Sequence, residues 1–525
     1  MAMTESLHHP GVHAGIEPDR LAVIVSGAGG SLTYAELEYE ACRIAHLFRE
    51  RGLKPGDHVA VILDNRAEFL SIVWAALRSG LYLTPVNWHL KPEEACYVVN
   101  DCAAKAIVVS GALALSGEEL NALTPDVQVR LSVAATMKGY EDLHEVLRDM
   151  SGAPPSDEME GSIMYYSSGT TDRPKGIKRA LSGAPFGALG PVDRLMKTSY
   201  GFGPDSIYLC PGPLYHAAPL AYSLGTHRLG GTVIVMPKFD PELALQLIDE
   251  HGVTHAQFVP THFVRMLQLS REVRDRYSLS TLRYAIHAGA PCAVDVKEAM
   301  IKWWGPVVYE YYCGSEVNGF CMIDSEEWVA HRGSVGRSVF GPAHIVGEDG
   351  QTVDTGEPGL IYFEGGAPFE YHNAPEKTAA AYNARGWSTL GDVGYMDAEG
   401  YVYLTDRQSH TINTGGVKVS SQEVENTLIL HPKIRDVAVV GVPDAEYGQS
   451  VKAVVEPRDP ELAGEQLAAE LIRYCRERLA HFKCPRSVDF VASLPRLPNG
   501  KLLKRELQVR YGGAEGKSTA GGGRE

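Results

Sequence analysis

The chain has 525 residues, 44% of them hydrophobic and 22% charged, with 65 acidic against 49 basic side chains and a formal net charge of −16. That composition supplies apolar side chains for packed cores and excludes a wholly disordered chain. The acidic balance, with no Lys/Arg stripe, argues against a nucleic-acid binder, and no apolar run approaches the roughly 18–20 residues of a membrane helix.

At about 100–200 residues per domain the length allows several domains, or one large body plus a small one. The first residues, MAMTESLHHPG, carry neither the basic start nor the apolar stretch of a signal peptide, so a cytoplasmic protein is expected. The nine cysteines form no C-x-x-C pair, which points to reduced thiols rather than a zinc or redox site.

In chain order, apolar runs at 59–63, 82–85 and 106–109 read as strands, separated by helical patterns at 67–78 and 92–100. Gly80 is placed to terminate the first helix. The cycle returns with a strand at 231–236, a helix at 241–251 and a strand at 255–259. Strands alternating with helices imply βαβ units and parallel sheets covered on both faces. After about residue 350, dense turn signals and alternating runs such as 401–404 predict antiparallel β structure. From about 408 a compact α+β piece is expected, with helices at 419–431 and 464–479 and strands at 437–441 and 450–455. The Gly-rich end, 512–525, reads as a disordered tail.

The most informative segment is 162–176, Ser-Ile-Met-Tyr-Tyr-Ser-Ser-Gly-Thr-Thr-Asp-Arg-Pro-Lys-Gly. A strand start runs into hydroxyls and glycine, then Pro-Lys-Gly. Such a loop can wrap backbone N–H groups and hydroxyls around a polyphosphate, with Lys175 as a point charge. It is not a Walker A loop. The segment resembles the phosphate-loop signature of the adenylate-forming superfamily, specifically its acyl-CoA synthetases, and the resemblance runs in family order from Leu32 to Lys501.

The resemblance implies an α/β fold: a large N-terminal domain of layered α/β subdomains with a small β-barrel-like subdomain (1–407), a small mobile α+β C-terminal domain (408–510), and a flexible tail (511–525). In the loop, Ser167, Ser168, Gly169 and Thr171 would contact ATP, and Thr170 would join Lys175 in catalysis and share the metal. Asp172 stands where relatives usually have Gly. In Tyr312-Cys-Gly-Ser-Glu316, the resemblance has Tyr312 stack on adenine, Ser315 meet the α-phosphate and Glu316 hold Mg²⁺; Cys313 and Ser315 replace the usual Gly and Thr. A ring face suits a purine, and carboxylate oxygen suits a hard cation. Gly289, Ala290 and Pro291 resemble the small-residue turn beside adenine. Asp392, in Gly391-Asp-Val-Gly394, resembles the ribose ligand, with Arg407 as a second contact. A lone G-D-x-G would equally be a turn aspartate; its place just before Arg407 favours the ligand.

Ser409 occupies the hinge position, followed by His410. Gly415 and Gly416 resemble the segment that lines the pantetheine tunnel, while Gln422, Glu423 and Glu425 begin a helix where acidic residues suit the dipole. Lys501, in Pro498-Asn-Gly-Lys501, resembles the lysine that enters the site during adenylation. His216 would have a gating role. The acyl pocket would be walled by Tyr215, His216, Val259, Thr261, Gly289, Asn318 and Gly319.

The implied activity is an ATP-dependent acyl-CoA ligase using ATP, Mg²⁺ and CoA. It would form acyl-AMP and pyrophosphate from a medium- or long-chain, aromatic or bulky cyclic acid, then pass the acyl group to CoA. A homodimer is compatible with the family; nucleic acid is not a partner. Three alternatives stand beside this: an adenylating ligase with an amine or carrier-protein thiol as acceptor, a non-catalytic nucleotide-binding protein, and, remotely, a light emitter.

Overall fold

The computed structural model describes residues 7–27, 29–167, 174–407, 412–414, 417–444, 447–496 and 502–511, with the backbone alone at Ser167, Asp406, Arg407 and Lys418. The first sheet has six strands in the order Glu141–Asp142, Val129–Val133, Ala104–Ser110, His58–Ile62, Tyr82–Pro85 and Ser162–Ile163. Every pairing in it is parallel. The central strands His58–Ile62 and Ala104–Ser110 are buried on both faces, as their unbroken apolar runs require. The helix Ala67–Arg78 is buried along its whole length, with Gly80 in the left-handed region just beyond its cap. Arg78, 0% exposed, is held by Glu38 at 2.5 Å and Glu158 at 3.4 Å.

The second sheet has thirteen strands. Its centre is parallel, from Leu21–Val25 and Thr232–Val235 through Ile207–Cys210, His255–Phe258 and Tyr284–His287 to Val308–Tyr312. From there the pairing turns antiparallel through Phe320–Ile323, Ser334–Phe340, Val402–Arg407, Ser388–Met396, Gly359–Phe363 and Ala343–Val346. The antiparallel region therefore begins near 320 rather than 350, because the strand after Tyr312 returns directly alongside it. Gly336 is the bend in this stretch: at φ +95° its Cβ would lie 1.9 Å from the Met322 carbonyl oxygen.

The C-terminal piece is a separate sheet, dominated by the antiparallel pair Ile434–Asp444 and Gly448–Pro457, with Ser487–Phe490 added parallel to the latter and the helices Ser421–Leu428 and Glu465–Arg476 packed on one face. The expected helix at 419–431 is shorter at both ends. Val419 instead pairs with Ile412 in a strand, and the Ser420 hydroxyl caps the helix by accepting from the Glu423 N–H. The apolar spacing at 419–424 is shared by strand and helix, so only the cap marks the boundary.

Candidate functional site

The strands Tyr165–Ser167 and Lys175–Lys178 form an antiparallel hairpin with Ser167 opposite Lys175. The tip carrying Ser168, Gly169, Thr170, Thr171 and Asp172 lies outside the described residues, as does the side chain of Ser167. Lys175 leaves this tip half-buried. Its ammonium sits 5.4 Å from the centre of the Tyr371 ring. Burial first, and then the neighbouring charge of Lys377, holds its pKa below the ordinary lysine value.

Beyond the strand Val308–Tyr312 the chain turns sharply through Cys313, Gly314 and Ser315 to Glu316. The Tyr312 phenol donates to Asp392 Oδ2 at 2.7 Å. Asp392 is 6% exposed and lies across the sheet from Arg407, whose side chain is outside the description. The Ser315 carbonyl accepts from Arg179 at 3.0 Å, which ties the turn to the end of the phosphate hairpin. Glu316 is 8% exposed; its Oε1 accepts from the Tyr371 phenol at 2.9 Å. Among the described residues Oε2 makes no hydrogen bond. A half-spent carboxylate of this kind suits a hard divalent cation, so the residues present fit Mg²⁺. Gly314 is required here: a Cβ would come within 2.5 Å of Leu390 and 2.6 Å of Glu316 Oε2. Cys313 presents no reactive thiol, since burial pushes it up to about 12.

The turn Gly289-Ala290-Pro291 connects the strand Tyr284–His287 to the helix Val294–Trp304, with Gly289 at φ +84°. Behind it, Lys297 and Glu310 form a buried ion pair at 2.7 Å, which fixes that helix against the neighbouring strand.

These large-domain groups open into a cavity of about 910 Å³. Gly289, Ala290, Pro291, Tyr312, Gly314 and Asp392 line one side. The small domain supplies the opposite wall, including Arg435, Asp436, Arg496, Leu502 and Lys504. Ser409, His410, Gly415, Gly416 and Lys501 lie outside the described residues. Glu423 and Glu425 have partners of their own: Glu423 pairs with Lys483 at 2.7 Å, and buried Glu425 with Lys504 at 2.8 Å.

Of the acyl-wall residues, Thr261 and Gly289 line this cavity, and Val259 lies 3.6 Å from where a Gly289 Cβ would stand. Tyr215 is buried and packs on His216 at 4.5 Å between ring centres; His216 occupies the N-cap position of the helix Ala217–Arg228. Tyr165 reaches the same point, 3.5 Å from the Ala217 carbonyl oxygen. Asn318 and Gly319 do not line the cavity. Asn318 is 0% exposed with its amide donating to Ser388, and Gly319 is pressed on the Phe363 ring.

Three residues at the site were not singled out from the sequence: Arg179, Tyr371 and Lys504. Tyr371 is 196 positions from Lys175 in the chain, and only the pairing of its two-residue strand with Lys175–Lys178 brings them together. No local pattern marks such a residue.

The family model for AMP-binding enzymes matches residues 12–370, and that for the AMP-binding enzyme C-terminal domain matches 423–501. The chain is 30% identical to the long-chain-fatty-acid–CoA ligase FadD13 of Mycobacterium tuberculosis, over 95% of this chain and 97% of that one. It is 31% identical to a feruloyl-CoA synthase of Amycolatopsis, over 94% and 96%. The structure of o-succinylbenzoate CoA synthetase from Bacillus subtilis with its acyl-adenylate intermediate superposes with a TM-score of 0.81 at 25% identity, covering 98% of this chain and all of that one. The chain belongs to the AMP-binding enzyme family and, within the adenylate-forming superfamily, is an AMP-forming acyl-CoA synthetase.

Proposed function

We propose that this enzyme activates a medium- or long-chain, aromatic or bulky cyclic carboxylate as its acyl-adenylate and transfers the acyl group to CoA in the cytoplasm. The observation that carries this reading is the convergence of Tyr312, Asp392, Gly289 and Gly314 around one cleft, with the small domain as its far wall and Glu316 directly behind Gly314. Relatives named for long-chain fatty acids and for feruloyl-CoA support an apolar or aromatic acid.

In the first step the substrate carboxylate attacks the α-phosphorus of ATP and pyrophosphate leaves. In the second, the CoA thiol attacks the acyl carbon and AMP leaves. The carboxylate is already ionised at neutral pH, so no protein base is needed for the first attack. The chain's contribution is positioning and charge stabilisation. Gly289–Pro291 and Tyr312 seat the adenine, Asp392 accepts from the ribose, and Thr170 and the loop amides hold the phosphates. Lys175 offsets charge on the leaving pyrophosphate, and Lys501 bridges the acyl carboxylate and the α-phosphate. Glu316 and Thr170 would hold Mg²⁺, which supplies further charge neutralisation when bound. His216, beside Tyr215, separates the acyl and thiol approaches.

The test is a carboxylate panel with ATP and Mg²⁺, with and without CoA, following pyrophosphate release and product mass. Thioester formed only when CoA is present is the expected result, and the best substrate names the acid. Pyrophosphate and acyl-AMP with no thioester would transfer the assignment to an amine or carrier-protein acceptor.

A further inference from the structure

Glu316 and Lys175 come from distant parts of the chain, yet one side chain touches both. Tyr371 donates its phenol to Glu316 Oε1 at 2.9 Å, and the Lys175 ammonium lies 5.4 Å from the centre of its ring. The ring is itself held firmly. Its strand, Glu370–Tyr371, pairs with Ile177 and Lys178 on the phosphate hairpin. The Tyr371 N–H donates to the Thr378 hydroxyl at 2.9 Å, and the next N–H, of His372, donates to the Gly176 carbonyl at 2.8 Å. His372 and Asn373 then anchor the segment to Asp101. Phe369 packs edge-on against the ring at 5.5 Å. A rigid mount with two faces, one polar tip and one π face, is thus built between an acid and a base of the nucleotide site.

We infer that Tyr371 is a positioning residue for the adenylation step: its phenol aims the Glu316 carboxylate, and its ring seats the Lys175 ammonium. The inference rests on the assignment of Glu316 and Lys175 to Mg·ATP. Holding Oε1 with a hydrogen bond fixes the other oxygen, Oε2, in one orientation, beside Gly314 at the edge of the cavity. The ring gives the ammonium a weakly hydrated seat that leaves its N–H donors pointing outward. The neighbouring Lys377 opposes a second cation at this point and the Glu316 charge favours it, and the π face adds its own attraction for Lys175 before the phosphates arrive. The two functions are separable, because the phenol serves the cation ligand and the ring serves the lysine.

The experiment is ATP binding by titration calorimetry, with and without Mg²⁺, on the full chain and on Tyr371→Phe and Tyr371→Leu. Tyr371→Phe keeps the ring and should weaken Mg·ATP binding about tenfold while leaving Mg²⁺-free ATP binding unchanged, as loss of one hydrogen bond to a carboxylate predicts. Tyr371→Leu should weaken both. In a Glu316→Gln background, Tyr371→Phe should add less than about twofold, because the paired charge is already gone. Thermal unfolding of the Phe variant controls for folding. An unchanged Mg·ATP affinity in Tyr371→Phe overturns the inference, as does an equal loss with and without Mg²⁺, or full additivity with Glu316→Gln. If the parent chain binds no ATP at all, the nucleotide-site reading itself has failed.

Discussion

The Tyr312 phenol and Asp392 Oδ2 lie 2.7 Å apart although 80 positions separate them in the chain, so the ring assigned to adenine and the carboxylate assigned to ribose are held as one unit. The bond engages the carboxylate at Oδ2. Removing the phenol should loosen the carboxylate without removing the stacking face. Tyr312→Phe is expected to raise KM for ATP by roughly tenfold, the worth of one hydrogen bond to a charged group, with kcat changed less than about threefold. Steady-state kinetics with ATP varied and the acid saturating would show it; an unchanged KM would mean that Asp392 is oriented by other contacts.

Gly314 sits where two side chains leave no room. A methyl group there would meet Leu390 at 2.5 Å and Glu316 Oε2 at 2.6 Å. Leu390 can shift its end, but Glu316 is fixed at its other oxygen by Tyr371. Gly314→Ala should therefore turn Glu316 out of place and raise the Mg²⁺ concentration for half-maximal pyrophosphate release several-fold. Stability should fall by only about 1–3 kcal/mol, the usual cost of overpacking. A variant with normal Mg²⁺ dependence and reduced stability would show that Leu390 alone takes the strain.

What the sequence made legible follows from how local each signal is. The helix at 67–78 and the strand at 82–85 were readable because their apolar runs and the following glycine are contiguous. The order of the site motifs was readable because each is a short turn with its own residue chemistry. Contacts set by strand pairing were not. Asn318 follows the adenine motif closely enough to suggest a pocket wall, but a positive φ at Val317 swings the chain away and buries the Asn318 amide on Ser388. Tyr371 reaches Lys175 only through a strand of two residues, too short to have a period. The Val419 boundary was lost because one Ser cap outweighs an apolar spacing common to both structures.

His227 fixes a pH dependence. Its Nδ1 accepts from the Trp74 indole N–H at 3.1 Å and its Nε2 faces the Ala22 carbonyl at 3.0 Å, so the folded ring is neutral with the proton on Nε2. Burial holds its pKa down to about 4. The unfolded ring titrates near 6.5, so between about pH 6.5 and 4 the unfolded chain binds a proton that the folded chain refuses. Stability from this group is complete above the window and is lost as pH falls through it, by up to about 1.4 kcal/mol per pH unit. His58 and His255, also held at about 4 by burial, add to the slope. The urea midpoint should drop from pH 7 to pH 5. His227→Gln should start lower at pH 7 and show a shallower drop, and parallel profiles would remove His227 from the explanation.

The described residues on either side of Lys501 are held together. Arg496 pairs with Leu502, the Leu503 N–H donates to the Pro495 carbonyl at 2.8 Å, and Arg496 Nη2 is paired with Asp436 at 2.7 Å. Two residues further on, Lys504 is buried against Glu425 at 2.8 Å and the Ser421 hydroxyl at 2.6 Å. Two lysines three positions apart therefore have opposite tasks, and substitution should separate them. Lys501→Ala should abolish acyl-AMP formation while CoA attack on supplied acyl-adenylate stays within a few-fold of the parent. Lys504→Met should leave Glu425 buried without its cation and cost about 3–5 kcal/mol in unfolding free energy, and adding Glu425→Leu should restore most of that loss. Both half-reactions should fall together in Lys504→Met, because what is lost there is the small domain that serves both. Equal loss of the two half-reactions in Lys501→Ala would show that this lysine, too, acts through the fold and not at the α-phosphate.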